Sequence, residues 1–186
     1  YRWGAAAGCS SVCYVTIGTG VGGGLVIDGR PVHGAMHPEI GHLQLRRAPG
    51  DLFPGSCPFH GDCIEGLVSG PALAARMGGD PATVADDDPR WLAVVSDIAE
   101  LVCAILLTTS AERVLIGGGV GMGHPAFLPL VRKRALERLG GYLPFFGELS
   151  AEEIIRAPAL GSEAGPMGSI ALAHAALGED SQIATG

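Results

Sequence analysis

The stretch from His37 to Glu65 reads HPEIGHLQLRRAPGDLFPGSCPFHGDCIE and carries three histidines, two cysteines and two glutamates. Glycines and prolines separate these residues, which favours a structured loop over one long helix or strand. We treat His37 as a bystander. Cys57, His60 and Cys63 are spaced C-x2-H-x2-C, and His42 lies upstream of them. These four residues form a donor set typical of a tetrahedral zinc site. With four protein ligands, such a metal would be structural.

Other interpretations of this metal loop (residues 37–65) stay open. A Cys57–Cys63 disulfide competes with the metal, and His60 would then be an ordinary surface residue. Glu39 lies near the start of the loop and Glu65 at its end, and exposed surface glutamates are the simplest interpretation of both. Ionised carboxylates make strong hydrogen bonds to pairs of hydroxyls. Because Glu39 and Glu65 both belong to the metal loop, we treat them as candidate sugar ligands.

Composition predicts one globular domain. The chain has 186 residues, of which 47% are hydrophobic and 17% charged, with a formal net charge of −7 at pH 7. The negative charge argues against nucleic acid as the main partner, and we interpret the basic pair Arg46-Arg47 as solvated surface. We judge no apolar run long enough to span a membrane and find no signal peptide. Five cysteines form no disulfide framework and fit a reducing cytoplasm.

Alternating patterns of strand and helix predict an α/β fold. Apolar and β-branched runs predict strands at 11–17, 25–27, 30–32, 42–46, 113–116 and 154–157. Helical spacing of apolar residues predicts helices at 71–77, 91–109, 125–139 and 167–177. The pair Asp28-Gly29 indicates a hairpin turn. The tail 178–186 is expected to be disordered.

Two glycine clusters are candidate phosphate sites. The first, Thr16 to Gly24, reads TIGTGVGGG; its glycines leave backbone N–H groups accessible to phosphate oxygens, and Thr16 and Thr19 add hydroxyls. It lacks the ending of a Walker loop, and a strand follows where a dinucleotide fingerprint would open a helix. The second, Gly117–Gly119, follows a strand where α/β folds leave room for a nucleotide. A plain glycine-rich turn competes with both interpretations.

Together these residues resemble the ROK family of sugar kinases, most closely its bacterial fructokinase branch. The resemblance runs from Tyr1 to about Leu177. Its most specific motifs are HPEIGH at 37–42 and CPFHGDCIEG at 57–66. Most members carry C-x-C-G-x-x-G-C at the second motif, and the replacement of one cysteine by His60 resembles the fructokinase branch.

The resemblance implies an actin-like (ribonuclease H-like) ATPase fold of two lobes, with residues 1–177 as the C-terminal lobe carrying an inserted zinc-binding loop. It implies that Glu39, His42 and Glu65 hold the sugar, one ring nitrogen of His42 binding zinc and the other facing the sugar. It also implies magnesium-dependent ATP binding, with cofactor contacts at Thr16, Gly18, Thr19, Gly20, Gly117, Gly118 and Gly119.

The same resemblance places the first phosphate loop and the catalytic aspartate, a general base, before Tyr1. The parent protein is expected to transfer the γ-phosphoryl group of ATP to a hexose, foremost to the 6-hydroxyl of fructose, while this chain alone is expected to be inactive. The alternatives are a glucokinase, an N-acetylmannosamine kinase, a sugar-responsive repressor on the same fold, and a zinc module without catalysis. A cytoplasmic homodimer is expected by analogy.

Overall fold

A computed structural model describes residues 1–123, 127–145 and 149–177. One mixed sheet has the strand order β3-β2-β1-β4-β5. Its strands are β1 (Ser11–Ile17), β2 (Val21–Ile27), β3 (Arg30–Pro31), β4 (Arg113–Gly117) and β5 (Ile155–Arg156). The pairing is antiparallel from β3 to β1 and parallel from β1 to β5. The sheet therefore joins an antiparallel meander to a parallel half.

Helices follow the strands in the order that the sequence predicts for an α/β fold. They are α1 (Ile64–Val68), α2 (Gly70–Met77), α3 (Arg90–Thr109), α4 (Gly118–Gly123), α5 (Phe127–Leu139), α6 (Ala151–Ile154) and α7 (Ala164–Ala176). Short 3₁₀ turns occupy Ile40–His42, Pro81–Thr83 and Gly161–Glu163. Ser69 caps α2, because its hydroxyl oxygen accepts the N–H of Ala72 at 3.3 Å.

The core lies between β1, β4 and the long helix α3. Val15 and Ile17 of β1 join Leu101 and Leu106 of α3 in one buried cluster. All four side chains are almost completely shielded from solvent. Burial of large aliphatic side chains on this scale is the main favourable contribution to folding.

Helix α3 is long and apolar enough to cross a membrane, by length and composition only. The expectation that no apolar run reaches this length is therefore wrong. The most apolar window of α3 has a mean hydropathy of 2.0, and 61% of that window is buried inside the fold. A helix that is apolar on most sides is also what a protein core requires, so α3 is weak evidence for a membrane span.

Two predicted strands differ from the structure. Residues 42–46 form no strand, because their backbone has no ladder partner: the carbonyl of Leu43 accepts the N–H of Ile64 at 3.0 Å instead. Strand β2 begins at Val21, earlier than residue 25, because Gly22 to Gly24 pair with β1. The predicted glycine loop is thus reduced to the turn 18–20.

Several other elements lie close to their predicted positions, whereas helices α1, α4 and α6 were not predicted and the predicted strand 154–157 is limited to Ile155–Arg156. Asp28 and Gly29 both have positive φ angles, 48° and 77°, as expected in a two-residue hairpin turn. Helix α7 begins three residues earlier than predicted, at Ala164. Residues 125 and 126 of the predicted helix 125–139 lie outside the described residues. The tail 178–186 also lies outside them.

The last helix stands away from the core. None of its residues is buried, and a groove of about 490 Å³ separates α7 from the sheet. Apolar side chains line this groove, among them Val12, Tyr14, Leu115 and Leu172. The helix therefore contributes little apolar burial to the fold as described.

Helix α3 carries a buried leucine next to an exposed one, so the contribution of its buried face to stability can be measured by comparing two variants. Leu106→Ala is expected to lower the free energy of unfolding by about 2–5 kcal/mol, because it leaves a cavity in a fully buried site. The adjacent Leu107 is 52% exposed, and Leu107→Ala should change that free energy by less than about 0.5 kcal/mol. Urea unfolding of both variants measures the difference. Equal losses would contradict the assignment of this helix face to the core.

Candidate metal centre and substrate site

The structure brings the four predicted metal donors together. Their ligand atoms, from His42, Cys57, His60 and Cys63, all lie within 4.8 Å of one another. His42 Nδ1 is 3.8 Å from Cys57 Sγ and 3.7 Å from Cys63 Sγ, and His60 Nδ1 is 3.8 Å from Cys57 Sγ. Sulfur and nitrogen donors around a tetrahedral zinc ion are about 3.6 Å apart. These three nitrogen–sulfur separations are therefore close to those around a four-coordinate zinc ion, and the four residues are a candidate zinc site.

A tight turn builds the part of the cluster from Cys57 to Cys63. Cys57 and Gly61 exchange two backbone hydrogen bonds, of 3.1 and 2.9 Å. This pairing turns the chain back so that Cys63, completely buried, comes beside Cys57. His42 reaches the turn from outside, on the 3₁₀ segment Ile40–His42. Local turn chemistry thus supplies three donors, and tertiary packing supplies the fourth.

The two cysteines of the cluster are free thiols with opposite pKa shifts. Burial opposes ionisation of Cys57, but hydrogen bonds from the backbone N–H groups of His60 and Phe59 outweigh it and lower the pKa to about 7. Burial and the adjacent Cys57 raise the pKa of Cys63. A thiolate at Cys57 thus opposes ionisation of Cys63 by charge repulsion. A divalent cation between them would remove that repulsion.

Glu65, in the first turn of α1, faces the β1–β2 hairpin. Its Oε2 accepts a hydrogen bond from the backbone N–H of Val21 at 3.0 Å, across 44 residues of sequence. A Cβ on Gly20 would come within 2.7 Å of the same oxygen, so only glycine allows this approach without a shift. The N–H of Gly70 also donates to the carbonyl of Gly18 at 2.7 Å. A predicted sugar ligand and a predicted phosphate turn are therefore in direct contact.

The second glycine cluster lies at the same edge of the sheet. Thr16 on β1 is opposite Gly117 on β4 in a parallel pair, so both glycine segments follow the carboxyl ends of neighbouring strands. Gly118 has a φ of 88°, and a Cβ there would collide with the backbone of Ile17. Thr16 and Thr19 are exposed. Ligands of α/β folds bind at edges of this kind.

Glu39 directly precedes the 3₁₀ turn Ile40–His42 and is exposed to solvent. Its Oε1 lies 2.8 Å from Nε2 of His37, the residue that the sequence analysis treats as a bystander. Gly41 packs so closely on β2 that a Cβ would collide with the carbonyl of Val21. This contact fixes the turn that carries His42 against the sheet.

The charged contacts around Arg47 were not evident from the sequence, and the expectation that Arg47 lies on the solvated surface is wrong. The guanidinium donates to Asp51 Oδ2 at 2.7 Å, to the carbonyl of Phe53 at 2.7 Å and to Asp62 Oδ2 at 3.2 Å. Only 22% of the side chain is exposed. The one sequence signal was the Arg47–Asp51 spacing of four residues, which carries little weight outside a helix.

Comparison with known proteins identifies the family. A profile of the ROK family matches residues 1–176. The chain belongs to the ROK family. It is 42% identical over 180 residues to a fructokinase from Zymomonas mobilis, covering 94% of this chain and 58% of that relative. It is 36% identical over 165 residues to a fructokinase from Pediococcus pentosaceus, covering 88% of this chain and 56% of that relative.

Solved structures of this family share the fold. A ROK hexokinase from Thermus thermophilus is 26% identical to this chain, with a TM-score of 0.69, and the match covers 90% of this chain and 58% of that one. The likeness and the mixed sheet confirm the expected α/β, actin-like ATPase fold. The chain spans less than two thirds of the length of these relatives.

The close contact of Gly41 with β2 predicts that a side chain at position 41 destabilises the protein. Gly41→Ala forces a methyl group against the Val21 carbonyl, and overpacking of this kind should lower the free energy of unfolding by about 1–3 kcal/mol. Gly24→Ala is the control, because a Cβ there meets nothing within 4 Å. Urea unfolding compares the two variants. A Gly41→Ala variant as stable as the control would contradict this packing.

Proposed function

We propose that this chain is the part of an ATP-dependent hexose kinase that holds the sugar and the transferring phosphate, with fructose phosphorylated at its 6-hydroxyl. The observation that carries the proposal is the contact between Glu65 and the Gly18–Gly20 turn. It brings a carboxylate suited to sugar hydroxyls next to a glycine turn suited to phosphate. The fructokinase names of the 42% and 36% identical relatives support fructose as the sugar.

The proposed metal is a structural zinc ion bound by His42, Cys57, His60 and Cys63. Two sulfur and two nitrogen donors at the observed separations suit zinc better than the hard cations, which prefer oxygen. Nδ1 of His42 faces both thiols, which leaves Nε2 for a sugar hydroxyl. Zinc would then determine the tautomer and the orientation of the ring.

The proposed sugar ligands are Glu39, His42 and Glu65. The hydrogen bond from Val21 uses one position on Oε2 of Glu65, and an ionised carboxylate has about four acceptor positions in all. Capacity therefore remains for sugar hydroxyls. Glu39 would exchange its contact with His37 for a sugar hydroxyl.

The proposed phosphate and nucleotide site is the sheet edge with both glycine segments. Phosphoryl transfer needs mainly positioning and charge stabilisation. Backbone N–H groups of Gly18, Gly20 and Gly117–Gly119, the hydroxyls of Thr16 and Thr19, and magnesium brought with ATP would supply both. The γ-phosphoryl group would then lie beside the sugar held at Glu65.

The rest of the machinery is proposed to lie in the part of the relatives that this chain does not span. That part would supply the first phosphate loop and the aspartate that takes the proton from the sugar hydroxyl. Residues 1–177 would form the C-terminal lobe, with the groove beside α7 covered by the other lobe. The chain by itself would then be inactive. A cytoplasmic homodimer without nucleic-acid contacts stays a prediction.

The metal can be tested on the chain itself. We expect about one zinc ion per chain, and we expect Cys63→Ser to lose it, because the variant removes one of four donors. Cys9 is also a buried thiol but lies outside the cluster, so Cys9→Ser should keep the zinc. Elemental analysis of the purified variants measures the content. A zinc-free protein with a Cys57–Cys63 disulfide would contradict the assignment.

Activity is testable in the full-length parent protein with a coupled assay. We expect turnover of fructose with Mg-ATP at a higher kcat/KM than that of glucose or mannose. Glu65→Gln should lower kcat/KM at least about tenfold, since a hydrogen bond to a charged group contributes about 1.5–3 kcal/mol.

The matched control for that assay is Glu152→Gln, because the Glu152 side chain is 80% exposed and lies on α6. It should leave kcat/KM unchanged. A parent protein that phosphorylates no hexose would refute the kinase proposal. Sugar binding without turnover would instead favour the repressor alternative.

A further inference from the structure

A chain of ion pairs runs from the helical core to the metal loop. It begins at Asp97 on α3, whose side chain is 1% exposed, and continues to Arg76 on α2, which is 4% exposed. Arg76 donates to Asp97 Oδ2 and to Asp51 Oδ2, both at 3.0 Å. Asp51 belongs to the metal loop. One guanidinium thus links two helices to a segment without regular structure.

The same chain continues towards the metal donors. Arg47 donates to Asp51 Oδ2 at 2.7 Å and to Asp62 Oδ2 at 3.2 Å. Asp62 directly precedes Cys63, and Gln44 donates to its Oδ1 at 2.9 Å. We call Asp97, Arg76, Asp51, Arg47 and Asp62 the ionic chain. It ends one residue away from a proposed zinc ligand.

Phe53 ties the middle of the ionic chain to the backbone of the loop. The guanidinium of Arg76 lies over the Phe53 ring, 4.7 Å from its centroid, which is a favourable cation–π distance. Arg47 donates to the Phe53 carbonyl at 2.7 Å, and the Phe53 N–H donates to Asp51 Oδ1 at 3.2 Å. The position of residues 51–53 therefore depends on both arginines.

Burying these charged side chains costs free energy of folding. Burial raises the pKa of Asp97 to about 6, although Arg76 opposes the shift. Buried ion pairs are often no more stabilising than apolar side chains of the same size, but they require one particular geometry. The loop needs such a constraint, because residues 43–56 contain no helix or strand.

We infer that the ionic chain is a positioning device that holds the metal loop in register with α2 and α3, and so maintains both zinc affinity and sugar affinity. Its members act through the loop, since their contacts described above are with one another, Gln44 and Phe53. The sugar part of the inference rests on the proposed function. The zinc part rests on the four-donor cluster alone.

The decisive variant is the double substitution Arg76→Met with Asp97→Leu. It removes both buried charges together, so no unpaired charge is left in the core, and the variant should remain folded. The single variant Asp97→Asn leaves the buried charge of Arg76 partly unpaired. It therefore tests the contribution of this ion pair to the stability of the fold. The single variant Asp97→Glu keeps the charge and should retain most of the zinc affinity and sugar affinity that the double variant loses.

Two readouts separate positioning from stability. In competition with a chelator, the double variant should bind zinc about 10-fold more weakly, the size of effect known for groups that orient metal ligands. In the full-length protein, KM for fructose should rise about 10-fold while kcat changes less than about twofold, the pattern of lost ground-state binding. Urea unfolding should show a midpoint near that of the wild type.

Arg134→Gln is the control, because Arg134 pairs with Glu137 on the exposed surface of α5; both zinc affinity and KM should stay unchanged. A folded double variant with native zinc affinity, or with native KM, overturns the inference. If the wild-type parent phosphorylates no hexose, the proposed function fails by itself. The zinc measurement then decides the inference on its own.

Discussion

The contact between the glycine turn after β1 and the junction of α1 and α2 is the constraint on which the site depends. Val21 donates to Glu65, and Gly70 donates to Gly18. The Gly70–Gly18 bond brings two backbones close together. The absent side chain of Gly20 leaves room for the carboxylate of Glu65 beside the turn. The phosphate-binding candidate and the sugar-binding candidate are therefore held together by the fold, before any ligand is present.

The metal cluster depends on a second close approach, that of the 3₁₀ turn to β2. The turn from Cys57 to Cys63 forms from local hydrogen bonds, whereas His42 arrives only because Gly41 allows its turn to lie on the backbone of Val21. Val21 thus takes part in both contacts: its N–H meets Glu65 and its carbonyl meets the His42 turn. The same edge of the sheet therefore positions the candidate metal donor His42, the candidate sugar ligand Glu65 and the candidate phosphate turn.

Local patterns in the sequence were enough to predict α3, β1, β4 and the four residues that come together as candidate metal donors. Periodicity and donor spacing are properties of neighbouring residues. They failed at residues 42–46, where alternation resembles a strand but no ladder partner is available. They also failed for Arg47, whose buried contacts connect through Asp51 to Arg76. A strand forms only beside another strand, and a charge can be buried only beside an opposite charge. Tertiary packing determines whether either neighbour is present.

The sequence alone determined the α/β class, the resemblance to sugar kinases and the identity of the candidate ligands. These follow from residue types and spacing, which need no coordinates. Only the tertiary structure decided that Glu65 meets the Gly18–Gly20 turn and that Nδ1 of His42 faces both thiols. It also decided that Arg76 pairs with both Asp97 and Asp51 of the metal loop. Each of these joins segments distant in the chain, and their geometry depends on how the sheet and helices pack.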